Sequence, residues 1–339
     1  MKPPPPSASP WQLLYGGAHR LRFRWYHSRS RHLPRPVVSV GNLHWGGTGK
    51  TPLTAAVAAH LRDRGLAVCI LSRGYASRGR GVRVVSTGDG PLLSPLLAGD
   101  EPVLLAGELP GVAIVVGPDR FEAGMAALHR LPRTPDLFLL DDGFSHLALR
   151  RDLDLVAFPS SDPFGGGRLA PGGRLREPLA SIARAHAVLL TNAGSAEDGQ
   201  ALAEALRSYG FTGPGFASFT RPGRPRWIGE SGGDLEAGSK VFLVTAIARP
   251  ERFLNSVREL GFEVAGELRF PDHHPYPAPT LARIAEAFRS SGAAAVLTTA
   301  KDGVKLLGRL DLPLAELPVR AEPEPEFWAW LDGVGFGRR

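Results

Sequence analysis

The stretch VVSVGNLHWGGTGKTPL, residues 37–53, holds the first residues equipped for chemistry. An apolar run enters a glycine-rich turn, and the helix-forming segment TPLTAAVAAHL leaves it. In that setting Gly46, Gly47 and Gly49 let backbone N–H groups turn toward phosphate oxygens without a Cβ clash. Lys50 then reaches terminal phosphates, Thr51 offers its hydroxyl to Mg²⁺, and the helix N-terminus adds positive potential. The general pattern G-x-x-x-x-G-K-[ST] requires glycine five residues before Gly49, and that residue is His44. Glycine stands three residues earlier, at Gly41.

The run LFLLDDGFSH ends an apolar strand on Asp141 and Asp142, with His146 close behind. In a nucleotide-binding sheet, an acid at the carboxyl end of a neighbouring strand is placed to hold Mg²⁺ or its waters, and Asp141 is the metal candidate. The same pair also suits a turn cap. Asp100 and Glu101 in LAGDEPVLLA precede an apolar segment, where acids favour a helix start. FPDHHPYP sets Asp272, His273, His274 and Tyr276 between prolines, and LSRGYASRGRG offers Arg73 and Tyr75 just after a strand, suited to an anionic substrate or to solvent. The loop PFGGGRLAPGGRLREPL adds Arg168, Arg174 and Arg176.

What must position these groups is an α/β framework. Short apolar runs such as PVVSVG, AVCILS, GVAIVVG, LFLLDDG and AVLLTN alternate with amphipathic segments, which predicts a parallel sheet with crossover helices on its faces. The Gly/Pro-rich stretch GFTGPGFASFTRPGRPRW interrupts the rhythm, and a boundary is expected near residue 213. Beyond it KVFLVTAI, PERFLNSVRELG, FEVAGELRF and AAVLTTAKDG resume the alternation. The expectation is a basic arm over 1–35, a P-loop α/β/α domain over 36–212 and a smaller α/β/α domain over 213–339.

Charge is unevenly spread over the 339 residues. Lys2, Arg20, Arg22, Arg24, Arg29, Arg31 and Arg35 precede the first acid, Asp63, and equal the net charge of +7, so the body is near neutral. That excludes a uniformly basic nucleic-acid binder. Read as a helix, WQLLYGGAHRLRFRWYHSRSR places Trp11, Leu14, Tyr15, Ala18, Leu21 and Trp25 on one stripe, with Arg20, Arg24 and Arg31 away from it. Such a helix suits an anionic membrane surface; it equally suits packing on the body. No run is long enough to span a bilayer, and the segment makes a poor signal peptide. The lone Cys69 excludes an internal disulfide framework and fits a reducing compartment.

Taken in order, VGNLHWGGTGKTP, LSRGYASRGRG, GDEPVLLA, DRFEAG, DDGFSHLALRRDLDLV, GGRLREPL, TAIARPERF, FPDHHPY and TTAKDGVKL resemble the tetraacyldisaccharide 4'-kinase family of lipid A synthesis. In that family the missing first glycine is normal. The resemblance implies ATP on Gly46, Gly47, Thr48, Gly49, Lys50 and Thr51, and Mg²⁺ held by Thr51, Asp141 and Glu101. The acceptor it implies is the 4'-hydroxyl of an acylated glucosamine disaccharide phosphate, met by Arg73, Tyr75, Arg120, Asp142 and Arg176. It further implies catalysis by Lys50 with an Asp100–His273 pair that interdomain closure assembles. Location on the cytoplasmic face of the bacterial inner membrane follows, as a peripheral protein without nucleic acid or an obligate protein partner. The chain departs from the family's usual residues at Ser145, Ala300, His44 and Trp45. Rival readings are a P-loop GTPase or metallochaperone-like switch, for which [NT]-K-x-D is missing, and a small-molecule kinase, which has no use for the basic aromatic arm.

Overall fold

The computed structural model describes residues 10–228 and 235–336. The chain opens with α1 (Pro10–His27), then β1 (Val37–Asn42), α2 (Lys50–Asp63), β2 (Val68–Ser72), β3 (Arg83–Ser86), α3 (Pro95–Ala98), α4 (Asp100–Glu108) and β4 (Ala113–Val116). It continues through α5 (Arg120–Arg130), β5 (Leu137–Asp141), β6 (Leu153–Pro159), β7 (Ala187–Thr191), α6 (Glu197–Leu206) and β8 (Gly215–Pro222). After these come β9 (Arg226–Trp227), β10 (Lys240–Thr245), α7 (Pro250–Glu259), β11 (Glu263–Arg269), α8 (Ala278–Ser291), β12 (Ala295–Thr299), α9 (Ala300–Leu306) and β13 (Leu314–Leu317). The last elements are β14 (Val319–Pro323) and α10 (Pro325–Val334).

Two sheets organise the described residues. The larger runs β14-β8-β7-β6-β1-β5-β2-β4-β3, and the smaller β11-β10-β12-β13-β9. Only the edges depart from parallel pairing: β14 on β8, β3 on β4 and β9 on β13 are antiparallel. Fully buried strands explain the unbroken apolar runs, since both faces must be covered. Along β1, Val38 and Val40 pack into one cluster with Leu53 and Val57 of α2, whereas Val37 joins Leu140 and Ala123 of α5 on the other side. The smaller sheet is sandwiched likewise, with Leu243 against Phe253 of α7 and Val244 against Ile284 of α8. Both units are therefore α/β/α, as the alternation predicts.

The expected boundary at 213 does not follow the sheets. β8 lies in the larger sheet beside β7, and β14 and α10 return to it, with Phe327 and Leu331 of α10 in the same cluster as Val38. The glycines that read as a linker serve close packing instead: a Cβ on Gly215 would lie 2.2 Å from the carbonyl oxygen of Gly199 in α6. Chain belonging to the smaller sheet runs only between β8 and β14.

The arm is helical over α1, shorter than the segment read from the sequence. Residues 1–9, including Lys2, and the side chains of Trp11, Arg20, Arg22 and Arg24 lie outside the described residues. Leu14, Leu21 and Trp25 are exposed, Tyr15 is half-buried, and its hydroxyl donates to the Arg176 carbonyl at 3.1 Å. Arg31 lies beyond the helix, pairs with Asp119 and Glu122, and covers the Phe121 ring. It ties the arm to α5 and is not free to meet headgroups. No described helix is long and apolar enough to cross a membrane.

Candidate active site

β1 lies between β5 and β6, and the turn after it opens at the carboxyl ends of these strands, where open α/β sheets place their ligands. Gly41 packs against Phe144, and a Cβ there would come within 2.5 Å of the Phe144 Cβ. Gly46 and Gly49 hold φ of 93° and 79°, left-handed values that favour glycine. Thr48 is buried and anchors the loop from two sides: its hydroxyl accepts from Asn42 Nδ2 at 2.6 Å, and its carbonyl accepts from the Thr191 hydroxyl at 2.7 Å. Gly49 is the N-cap of α2, so Lys50 and Thr51 form the first turn of that helix.

His44 occupies the place of the missing glycine by turning inward. It is buried, sets its ring edge-on to Phe158 at 5.7 Å, and bridges to Leu175 through the backbone. Burial lowers its imidazole to about 4 against the opposing charge of Asp162, so the ring is neutral at pH 7. Trp45 points outward, its backbone N–H held by the Arg174 carbonyl and its ring 5.9 Å from the Arg176 guanidinium.

Three carboxylates surround the loop lysine. Burial alone would lower the Lys50 ammonium; Asp142, Glu101 and Asp141 together raise it above the usual lysine value. Asp141 ends β5 and accepts from the hydroxyls of Thr54 at 3.2 Å and Ser72 at 3.4 Å. Its burial, then the Glu101 charge, push its carboxyl up to about 6 despite Lys50. Asp142 behaves oppositely: although burial opposes ionisation, Lys50 and the Arg176 fork hold it down at about 2. Arg176 Nη1 and Nη2 reach the two Asp142 oxygens at 2.8 and 2.7 Å, and Nη2 also meets the Asn42 carbonyl. Asp142 sits at φ 56°, in the left-handed region that Asp tolerates better than most residues. Asp142 and Arg176, expected as separate substrate contacts, thus bind each other.

Arg120, expected on the substrate, is buried at the start of α5 and donates to the Pro118 carbonyl at 3.0 Å. Burial, then the neighbouring Arg73, lower its guanidinium to about 10, with Asp142 and Asp141 opposing. Arg73 and Tyr75 are exposed.

The second unit meets this cluster where its α9 packs on α4 of the first. His273 Nδ1 lies 3.3 Å from Asp100 Oδ2, so the pair stands assembled in this structure without further closure. The Tyr75 ring meets His273 edge-on at 5.3 Å. His273 holds φ 61°, and its N–H reaches back to the Ala246 carbonyl. His274 turns away: it stacks on Phe270 and shares a hydrogen bond with the Thr280 hydroxyl. Of the two histidines, His273 is the one at the cleft. Burial works against the Asp100 carboxylate, but the His273 hydrogen bond and then Lys305 hold it below the usual range.

Sequence reasoning missed Lys301 and Lys305. Their four-residue spacing on α9 puts both ammoniums on one face, a signal present in TTAKDGVKL. Lys305 is buried between Asp302 at 2.8 Å and Asp100 at 3.4 Å. Thr299 is the N-cap of α9, and the Asp302 carboxylate accepts from the Thr299 hydroxyl at 2.9 Å and from the Ala246 N–H at 2.8 Å, fixing α9 to the end of β10. Ala300, the departure in this motif, is buried at the first position of α9.

A phosphate loop with its lysine among carboxylates, on a parallel sheet, and a carboxylate–histidine pair facing it define a P-loop phosphotransferase. A sequence profile of the tetraacyldisaccharide-1-P 4'-kinase family, LpxK, matches residues 7–335. The chain belongs to that family. It is 41% identical over 309 residues to tetraacyldisaccharide 4'-kinase of Pelobacter propionicus, covering 88% of this chain and 82% of that one. With the Geobacter metallireducens protein of the same name it shares 41% identity over 310 residues, 89% of each chain. Among solved structures, LpxK from Aquifex aeolicus in complex with ATP matches with a TM-score of 0.73 at 30% identity, over 96% of this chain and 97% of that chain.

Proposed function

We propose that this chain is the ATP-dependent kinase that transfers the γ-phosphoryl group to the 4'-hydroxyl of a tetraacyl glucosamine disaccharide 1-phosphate in lipid A synthesis. The observation that carries the reading is that Glu101, whose charge acts on Lys50 of the phosphate loop, adjoins Asp100, and Asp100 is met at 3.3 Å by His273 from the other unit. Phosphoryl transfer depends on positioning and on neutralising charge that spreads over the transferred group. Lys50 and the loop N–H groups supply that charge and hold the donor. A sugar hydroxyl is a weak nucleophile at neutral pH, and His273 accepts its proton while Asp100 fixes the ring's tautomer.

Mg²⁺ fits the residues present. Among the described residues no three His, Cys, Asp or Glu side chains converge as a metal cage. Mg²⁺ does not need one, being held by one or two carboxylates together with substrate phosphates and water. Asp141, Glu101 and Thr51 offer hard oxygens beside Lys50, a donor set suited to Mg²⁺. When bound, the ion supplies charge neutralisation at the phosphates.

Two exposed apolar surfaces support a lipid acceptor at an anionic membrane face. One is Leu14, Leu21 and Trp25 on α1; the other is Leu92, Leu96 and Leu97 on the segment that carries α3. The carbonyl of Leu96 receives the Arg78 N–H, which places exposed leucines beside the Arg73–Tyr75 turn. The decisive experiment incubates the purified protein with labelled ATP and the monophosphorylated tetraacyl disaccharide. Mg²⁺-dependent appearance of the bisphosphorylated lipid is expected, and its absence overturns the reading.

A further inference from the structure

The base nitrogen of His273 is already occupied. With Nδ1 directed at Asp100, the other ring nitrogen, Nε2, lies 3.1 Å from the Lys301 ammonium. An ammonium has only hydrogens to offer, so Nε2 accepts from Lys301 and Nδ1 carries the proton toward Asp100. That is the tautomer a base requires, yet its lone pair is spent on lysine. Lys301 also lies 3.4 Å from Glu101 Oε1 and 3.5 Å from Asp272 Oδ1. Glu101 is one of the carboxylates whose charge acts on Lys50. Lys301 therefore stands one carboxylate away from the phosphate-loop lysine.

We infer that Lys301 is a mobile cation that caps Nε2 of His273 in the free enzyme and moves to the terminal phosphate of ATP when the nucleotide binds. The inference rests on the kinase reading above. A lysine ammonium is a compact charge on a flexible stem, and a polyanionic phosphate attracts it far more strongly than a neutral imidazole does. Its departure leaves Nε2 free to take the proton of the acceptor hydroxyl. That oxygen then bonds to the γ-phosphorus, the bond from phosphorus to the β–γ bridging oxygen breaks, and ADP leaves. Base and donor are thereby coupled: the base is uncapped only when there is a phosphoryl group to transfer. The second unit also contributes a charge to the donor, opposite Lys50.

The test needs no acceptor lipid. In wild-type protein with ¹⁵N-labelled histidine, the Nε2 resonance of His273 is followed by NMR while a non-hydrolysable ATP analogue with Mg²⁺ is added. Loss of the lysine hydrogen bond shifts this resonance at saturation; a resonance that stays in place overturns the inference. Equilibrium binding of the same analogue to Lys301→Met is expected to weaken about tenfold, the loss of one charge-assisted hydrogen bond, and Lys301→Arg recovers part of it. Unchanged affinity in folded Lys301→Met also overturns it. A purely structural lysine would lower the melting temperature and leave the analogue's affinity for the folded protein intact. Failure of the lipid assay would sink the kinase reading alone, since the resonance shift depends only on nucleotide.

Discussion

Asp100 and His273 come from different units yet stand 3.3 Å apart, carboxylate oxygen to imidazole Nδ1. Asp100 opens α4 on the larger sheet's side, whereas His273 follows β11 of the smaller sheet. Asp100→Asn keeps the shape but cannot hold the proton on Nδ1. Turnover should fall by about 10² to 10⁴-fold while binding of an ATP analogue persists, as steady-state kinetics and equilibrium titration would show. Turnover near that of the wild type would remove Asp100 from the chemistry. The Asp100 carboxyl is lowered in the folded state, so its contribution to stability is present above the ordinary carboxylate range and is lost as pH falls through the lowered value.

Asp141 has the opposite sign. Its carboxyl is raised to about 6 by burial first, so its favourable contribution exists below the unfolded value near 4 and vanishes as pH rises through 6. At pH 8 the folded state carries an ionised carboxylate that burial disfavours. Asp141→Asn should therefore gain stability relative to wild type at pH 8, with the advantage fading toward pH 4. Urea unfolding at the two pH values measures this, and activity should be lost in the same variant. A destabilised variant at pH 8 would contradict the assignment.

Much of this arrangement is legible in the sequence because it is local. The strand–loop–helix around Lys50 and the strand ending in Asp141 are contiguous patterns, and their geometry follows from hydrogen bonding and glycine freedom within a few residues. The Asp100–His273 contact is not local, and it became an expectation only through the order of motifs that mark the family. The boundary at 213 failed because Gly215 and Gly199 meet in three dimensions, a demand that in one dimension looks like a flexible linker. The return of β14 and α10 to the larger sheet was invisible for a related reason: an apolar run does not say which sheet it completes. The role of Arg31 was misread because its partners, Asp119 and Glu122, lie far along the chain.

Arg176 grips both oxygens of Asp142 and the Asn42 carbonyl with one planar guanidinium. Lysine delivers a similar charge from a single point and cannot reproduce the fork. Arg176→Lys should cost about 1 to 2 kcal/mol of stability, given that the pair is only partly screened from water. It should also lower kcat/KM, because Asp142 sits in a left-handed backbone conformation next to Lys50 and loses its restraint. Thermal unfolding with parallel kinetics would reveal both effects, and wild-type values for both would show that the fork is dispensable.

Leu14, Leu21 and Trp25 of α1 present exposed apolar surface. Replacing Leu14, Leu21 and Trp25 with serine should leave the melting temperature in place, since the three are exposed. Partition onto anionic vesicles should weaken by more than tenfold, since each apolar side chain withdrawn from the interface removes about 1 kcal/mol or more. Vesicle sedimentation distinguishes this from an arm that only packs on the body, for which partition would not change.

His44 fills the place where the general phosphate-loop pattern has glycine, and it does so as a neutral, buried ring against Phe158. Its imidazole is lowered to about 4, first by burial. For a base lowered on folding, the unfolded chain binds the proton more readily, so stability is intact above the unfolded value near 6.5 and declines as pH falls toward 4. His44→Leu cannot bind that proton. Between pH 7 and pH 4 the stability difference should therefore move in favour of the leucine variant by about 3 kcal/mol, whatever the two proteins' offset at pH 7. Denaturant unfolding across this range reads the change directly. A difference that stays constant with pH would mean that the ring is already solvated and that the loop does not need a neutral side chain at this position.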